Sequence, residues 1–532
     1  MFVGDILGVK TVRAWEFNST FPIRSIIPIY VSTALPLLFL KAVSAVCGHV
    51  ISWYSLTVAV RLTVTLLSLI TDYAAMRLAR LVATDGLSAA VVVATSYVSL
   101  VYYTRTFSNT LESFLYAALL YVVTRQSRRL GISQIPSIPY PIVISSLIVF
   151  GVFNRPTFMV YAAVPYLWWL FSDGVHKVVI RAMQSVLTAI PVSMALIICD
   201  SIYFGQLDIN NLNVADMSDV MTSLTQNLTV TPMNFLLYNT RSDNLAEHGI
   251  HARYTHFAIN LPLLFNVLCL NFFYDVLTAH SRIRNRKLLS MYRESLMLLI
   301  CCVIPVGLLS LFPHQEPRFL IPLLPVIAAL YARELSVNRV MAALWLIVNI
   351  FGCLFYGCFH QAGVLPCLGH LQQTGPASVD RHVFFWHTYT APQHLLLLNP
   401  EPTDSGDTTL TSLEGNSVED LIHHLTAVNS LQSVRRREKP EVLLAVPSSE
   451  HHYLVCKTAE AGIRLDVHQS FWPHFSTEHP SSVSEMLCHT STSNCHTNTD
   501  AAAAADDDFC SKTLMERIRF LTALNLYQVT FL

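Results

Sequence analysis

Charge is the scarcest thing in this sequence. Of its 532 residues only 13% are Asp, Glu, Lys or Arg, against 53% apolar, where a soluble domain carries roughly a quarter charged. The deficit excludes an ordinary soluble enzyme, and a mean hydropathy of +0.46 makes the class a membrane protein. Net charge is missing too. The 34 basic residues against 35 acidic leave −1, so the chain lacks the basic excess that a nucleic-acid partner requires. No convincing internal repeat is present.

Recognisable metal-ligand spacing is also absent. His248, His251 and His256 share one segment, and Cys488-His489 stands near Cys495-His496, but neither spacing matches a zinc pattern. Asp506-Asp507-Asp508 satisfies the Asp-x-Asp form used by metal-dependent, nucleotide-sugar transferases. It follows the run Ala501–Ala505, which marks low complexity. Met1–Tyr30 lacks the compact apolar core of a cleavable signal peptide, because Asp5, Lys10, Arg13, Glu16 and Arg24 interrupt it. The expectation is insertion by a later span or a beginning upstream of Met1. Five of the twelve cysteines (367, 456, 488, 495 and 510) belong to or border the polar tail, so at most two disulfides form among them.

What the chain has is apolar runs. Candidate spans lie near 27–47, 51–71, 86–103, 111–124, 138–152, 155–171, 182–199, 256–278, 293–312, 319–332 and 340–359. Several fall short of the ~20 residues a perpendicular helix needs. Basic loops at Arg77/Arg80, Arg125–Arg129, Lys177/Arg181 and Arg282–Lys287 read as cytosolic. Counting from the last of these places residues 314–318, the loop 200–255 with its Asn227-Leu228-Thr229 sequon, and His360 on the opposite, luminal side. If 1–26 is luminal as well, an odd number of crossings must precede Arg77. Two stretches are present, interrupted by Lys41 and Arg61, so one of them is expected to re-enter or lie in the interface. The expected division is a remainder of a luminal loop at 1–26, a multispanning domain at 27–360 and a luminal domain at 371–532. That last part is mixed α/β and partly disordered, with Glu441–Pro447 as a strand and Ser448-Ser449-Glu450 as its turn.

The densest chemistry is His314-Gln315-Glu316-Pro317-Arg318-Phe319, set between two apolar runs. Ionisable groups are costly at membrane depth, so such a cluster lies at a water interface or lines a polar cavity; an inert polar loop is the plain alternative. Arg155, in Phe153-Asn154-Arg155-Pro156, and Arg105 each stand at a span end. For Arg155, packing or snorkelling competes evenly with a phosphate contact. Glu112 reads as structural. Asp200 and Tyr203 end a span.

His-x-Glu-x-Arg-Phe followed by an apolar, proline-bearing helix resembles the multispanning, GT-C-like mannosyltransferases of the endoplasmic reticulum that use dolichol-phosphate-mannose. Further segments resemble the family in order: Gly4-Asp5-Ile6-Leu7-Gly8, Trp15-Glu16-Phe17, Pro22–Ser25, Thr104–Glu112, Gly151–Phe158, Thr231–Phe235, Asn244–Tyr254, His360-Gln361-Ala362-Gly363 and Phe385–Tyr389. Gln315, Pro317, the Asn244–Tyr254 loop and His360–Gly363 are most like the subgroup that adds the fourth mannose to glycosylphosphatidylinositol (GPI) precursors. The third GPI mannosyltransferase and the enzymes of N-glycan precursors share the core motif.

The resemblance implies a mainly α, multi-pass membrane enzyme of the endoplasmic reticulum. Its partners would be dolichol-phosphate-mannose, a GPI precursor glycolipid and membrane lipids. No cofactor is implied, because the donor is already lipid-linked; dependence on a divalent metal is left open. Substrate contacts are expected from His314, Glu316, Arg318, Arg155 and His360. The family's acidic base, in a His-Pro-Asp-Glu motif, precedes the Gly-Asp segment and is expected upstream of Met1, with Asp5 a weak substitute. A truncated, inactive homologue and a transporter are the rival readings. A transporter would carry broken helices in paired halves, whereas here charge gathers at luminal span ends.

Overall fold

A computed structural model describes residues 2–129, 140–172, 174–208, 227–240, 251–284, 293–374, 380–400, 407–435, 440–477 and 513–531. The loop residues 244–250 with His248, the basic residues Arg286 and Lys287, and the tail motifs at Cys488, Cys495 and 501–508 lie outside them. The chain forms two units. One comprises residues 13–39 and 58–353, the other 1–12, 40–57 and 354–532.

The first unit is helical. Among the described residues, five helices are long and apolar enough to cross a membrane: Ile27–Cys47, Trp53–Leu81, Val175–Tyr203, Pro317–Val337 and Arg339–Phe359. Pro317–Val337 is the buried one, with Val326, Ile327, Ala328 and Ala329 fully enclosed; the other four bury only a minor share of their residues. Four shorter apolar helices accompany them: Gly86–Thr95, Tyr140–Asn154, Phe158–Phe171 and His256–Phe265.

Local chemistry breaks several of the expected stretches. The run 86–103 divides at Ser96, where the backbone is extended and the Tyr97 amide donates to Asn349 Oδ1 at 2.7 Å. The run 256–278 divides at Asn266, which adopts a positive φ of 38°. The run beginning at 319 starts earlier, as a 3-10 turn Pro317–Leu323. Pro317 and Pro322 supply no amide donors to it. Its carbonyls are used from outside: Tyr103 donates its hydroxyl to Ile321 O at 2.7 Å, and Tyr161 donates to Phe319 O. The helices Tyr140–Asn154 and Phe158–Phe171 meet in a turn so tight that a Cβ on Gly151 would lie 2.1 Å from the Phe158 ring. That turn carries Asn154 and Arg155.

The second unit is an α/β domain. Five strands, β1 (Arg381–Trp386), β2 (Thr408–Glu414), β3 (Glu441–Pro447), β4 (Ile463–Phe471) and β5 (Leu524–Phe531), lie in the order β2-β1-β3-β5-β4. The first three are parallel, and β5 is antiparallel to both its neighbours. β3 has the expected bounds, followed by a 3-10 turn at Ser448–Glu450. Phe384, Trp386, Leu444, Val446 and Tyr527 of the sheet share a core with Leu421, Leu425 and Leu454 of the helices Val418–Arg435 and His451–Glu460. The first residues of the chain join this unit. Lys10 pairs with Asp407 at 2.8 Å, and its amide donates to Leu398 O. Asp5 sits on the short helix Phe2–Leu7. Cys456 is disulfide-bonded, whereas Cys367 is buried and free.

Packing and burial each generate a prediction. Gly151→Ala should cost about 1–3 kcal/mol by overpacking and lower the thermal midpoint in detergent. Gly307→Ala should not, since a Cβ there meets nothing within 4 Å. His474 is 1% exposed, and among the described residues neither of its ring nitrogens has a hydrogen-bond partner. Burial, then nearby His360, lowers its pKa from 6.5 to about 4. The neutral ring therefore contributes full stability above pH 6.5, and that contribution falls as pH drops from 6.5 toward 4. Thermal midpoints at pH 7 and pH 5 should differ less in His474→Phe than in the parent.

Candidate active site

The segment His314–Arg318 emerges from helix Arg293–Leu309 and runs into the buried helix. Its polar residues split into two roles. Gln315 is buried at 1% exposure, with its amide nitrogen on the carbonyls of Ser310 and Phe312 at 3.0 and 3.1 Å and its Oε1 accepting the His256 amide at 3.0 Å. The Gln315 amide donates to His251 Nδ1, and Asn260 donates to Gln315 O. Gln315 thus fixes the loop rather than facing a ligand. His251 and His256 serve the same anchorage. Among the described residues no group of three or more His, Cys, Asp or Glu is arranged to hold a metal ion.

Glu316 faces the other way. Its Oε1 lies 2.7 Å from His314 Nε2 and 2.7 Å from Arg318 Nη2, and Arg318 Nε faces Oε2. Burial alone would raise this carboxyl's pKa. The hydrogen bond from His314 and the Arg318 guanidinium outweigh burial and lower it to about 2. Glu316 is therefore a fixed counter-charge, not a proton acceptor at neutral pH.

Arg155 is held from four sides. Its Nη1 reaches Ser108 Oγ at 3.1 Å and Asn109 Oδ1 at 3.5 Å, and its Nε reaches Thr157 Oγ1 at 3.3 Å. Glu112, 1% exposed, lies 3.9 Å from Nε and accepts from Thr157 at 3.0 Å. The guanidinium lies 5.1 Å from the Phe319 ring, within cation–π range. Arg318 stands 5.8 Å from Phe107 in the same manner.

Both arginines, with Phe107 and Phe319, line one cavity of about 480 Å³, while Glu112, Asn109 and Thr157 stand behind its wall. His314, Glu316, Arg318 and Arg155 are brought together in it. Asp5 and His360 belong to the other unit. There His360 Nε2 lies 3.3 Å from the Tyr389 hydroxyl, and Phe355 and Tyr356 flank its ring. The cavity also holds residues that the sequence offered only as parts of longer segments. Arg24 donates through Nε and Nη2 to Glu16 Oε1 at 3.1 and 3.0 Å and lies 5.1 Å from the Phe235 ring. The pair spans eight residues of one loop, a spacing that carries no periodic signal in the sequence. Three guanidiniums (24, 155, 318) against two carboxylates (16, 316) leave the lining one positive charge in excess. Its wall passes from Ile29, Ser32 and Thr33 of an apolar helix to Trp15, Glu16 and Phe17 of a polar loop. Such a wall suits an anionic group that joins a lipid tail to a polar head.

A model of the Alg9-like mannosyltransferase family matches residues 2–398. The human GPI alpha-1,2-mannosyltransferase 4 is 35% identical over 426 residues, covering 74% of this chain and 70% of the human protein. The Drosophila melanogaster GPI mannosyltransferase 4 is 27% identical over 574 aligned positions, covering 90% and 82%. That of Candida albicans is 30% identical over 405, covering 75% and 74%. No solved structure matches the chain.

The pairing at Glu316 has a measurable signature. Its pKa in the fold is about 2, below the ordinary value of ~4.3. The ionised carboxylate therefore stabilises the fold fully above pH ~4.3, and that contribution is lost as pH falls toward 2. The thermal midpoint of the parent minus that of Glu316→Gln should be the same at pH 7 and pH 5, and shrink only below about pH 4.3.

Proposed function

The chain belongs to the Alg9-like mannosyltransferase family, and from that premise we propose that it moves mannose from dolichol-phosphate-mannose to a GPI precursor, as the fourth mannose, on the luminal face of the endoplasmic reticulum membrane. The observation that carries the reading is the amphiphilic cavity, in which Arg155 and Arg318 stand between an apolar helix and a polar loop. A polyprenyl-phosphate sugar has the same order of parts, a tail, then an anion, then a sugar.

In this reading Arg155 and Arg318 contact the donor phosphate and stabilise the negative charge that grows on it as the glycosidic bond breaks. A planar guanidinium suits a phosphate in two-point contact better than an ammonium does. Glu316 and Glu112 keep the two arginines aimed. Phe319 and Phe107 support them from below. His314 lies beside Glu316 for a sugar or phosphate contact. The disulfide at Cys456 supports the luminal side for the second unit, because disulfides persist in oxidising compartments.

The decisive experiment is complementation of cells that lack the fourth GPI mannosyltransferase, read by mass spectrometry of their GPI precursors. The expected result is one additional hexose. A chain present in the membrane that leaves the precursors unchanged would overturn the assignment. Arg155→Ala and Arg318→Ala should each lower transfer by on the order of 100-fold or more, and Arg318→Lys should restore only part of it, as assayed with dolichol-phosphate-mannose in microsomes.

A further inference from the structure

The cavity has a polar end that phosphate contacts leave unused. Trp15, in the 3-10 turn Trp15–Phe17, lines it with 50% of its surface exposed. Its ring centroid lies 5.0 Å from that of Tyr238, with 34° between the planes. Tyr238 and Asn239 end the helix Thr231–Asn239 and line the same cavity.

Loop and helix are clamped to each other next to this pair. Asn234 Nδ2 donates to Pro22 O at 3.0 Å, and Arg24 lies over Phe235. Thr231 donates to Asp200 Oδ2 at 2.9 Å, while Asp200 Oδ1 accepts the Ser25 hydroxyl and the Ile26 amide, each at 3.0 Å. The aromatic pair is therefore preorganised. Glu16 and Asn239, next in the chain to Trp15 and Tyr238 and lining the same cavity, each keep an acceptor atom: Arg24 occupies only Oε1 of Glu16, and Asn239 spends its Nδ2 on Phe235 O. Among the described residues, Glu16 Oε2 and Asn239 Oδ1 receive no hydrogen bond.

A half-exposed aromatic face beside open acceptor oxygens fits a pyranose ring. The C–H face of the sugar packs on the electron-rich ring face, and its hydroxyls donate to the oxygens at the edge. An anion would be repelled by Glu16, and an aliphatic tail would leave both oxygens unpaired at a cost. We propose that Trp15 and Tyr238 form the stacking platform for a mannose of the acceptor glycan, with Glu16 Oε2 and Asn239 Oδ1 accepting its hydroxyls. The proposal rests on the transferase reading above and adds which face of the cavity receives the acceptor.

The test uses the full chain in microsomes, with dolichol-phosphate-mannose as donor and a trimannosyl GPI precursor as acceptor. Trp15→Ala should raise the acceptor KM about ten-fold, the loss expected of one stacking contact, with donor KM and kcat held. Trp15→Phe and Tyr238→Phe, which keep a ring, should recover it, and Tyr238→Ala should not. Binding of a water-soluble α-linked mannotriose to the purified chain should weaken about as much in Trp15→Ala. This second readout needs neither transfer nor a membrane. An unchanged acceptor KM with unchanged mannotriose binding would overturn the platform and leave the transferase reading standing. A joint rise in donor and acceptor KM would also overturn it, assigning Trp15 to interfacial anchoring. If no transfer occurs in the parent, the transferase reading fails, and mannotriose binding alone decides the platform.

Discussion

A carboxylate in an apolar protein has to be satisfied, and the cavity exists where three of them are. Asp200 gathers the Ser25 hydroxyl, the Ile26 amide and Thr231, joining the N-terminal loop to the helix Thr231–Asn239. Glu112 gathers Asn109, Thr157 and Arg155, joining the helix Ser108–Arg129 to the turn after Asn154. Glu316 gathers His314 and Arg318. Each collects donors from places the chain would otherwise leave apart or unaimed. Remove the demand of any one carboxylate, and a wall of the cavity loses its reason to stay in place. Charged residues are few in this chain, and those at the cavity determine one another.

That economy accounts for the division of labour along the motif. Gln315 and its neighbours differ by one position and face opposite ways, one amide absorbed by backbone carbonyls while Glu316 is spent on side chains. A motif of six residues therefore carries both its scaffold and its chemistry. The turn Pro317–Leu323 that continues it is held from outside by two hydroxyls, Tyr103 on Ile321 O and Tyr161 on Phe319 O. Movement of the loop would break bonds inside the core before it moved a ligand.

Much of this was legible in the sequence, for a physical reason: burial of charge is so costly in a membrane that a cluster such as His314–Arg318 advertises itself. The strand Glu441–Pro447 was legible because its apolar run is bounded by turn residues. The Glu16–Arg24 pair was not, since an ion pair across a loop leaves no periodic trace. Nor was the docking of residues 1–12 on the C-terminal unit, which depends on Lys10 meeting a carboxylate 397 positions away. The breaks at Ser96 and Asn266 were hidden because Asn349, a distant residue, caps the first and a left-handed backbone makes the second. Trp15 and Tyr238 were invisible as a pair for the same reason: their contact belongs to the clamp between two segments, not to either one.

The first two long helices carry a consequence for how the chain is threaded. Lys41 donates to Ile6 O at 2.5 Å, and Trp53 packs against Gly369, whose Cβ would lie 2.6 Å from the indole. The bend between Cys47 and Trp53 is thereby tethered to residues 6 and 369, and Lys10 to Asp407, all within the one unit. The chain leaves that unit at residue 13 and returns to it at residue 40. Residues 1–12 and 40–57 thus share a unit with residues 354–532, so these N-terminal segments meet their partners only once the C-terminal part of the chain has been made.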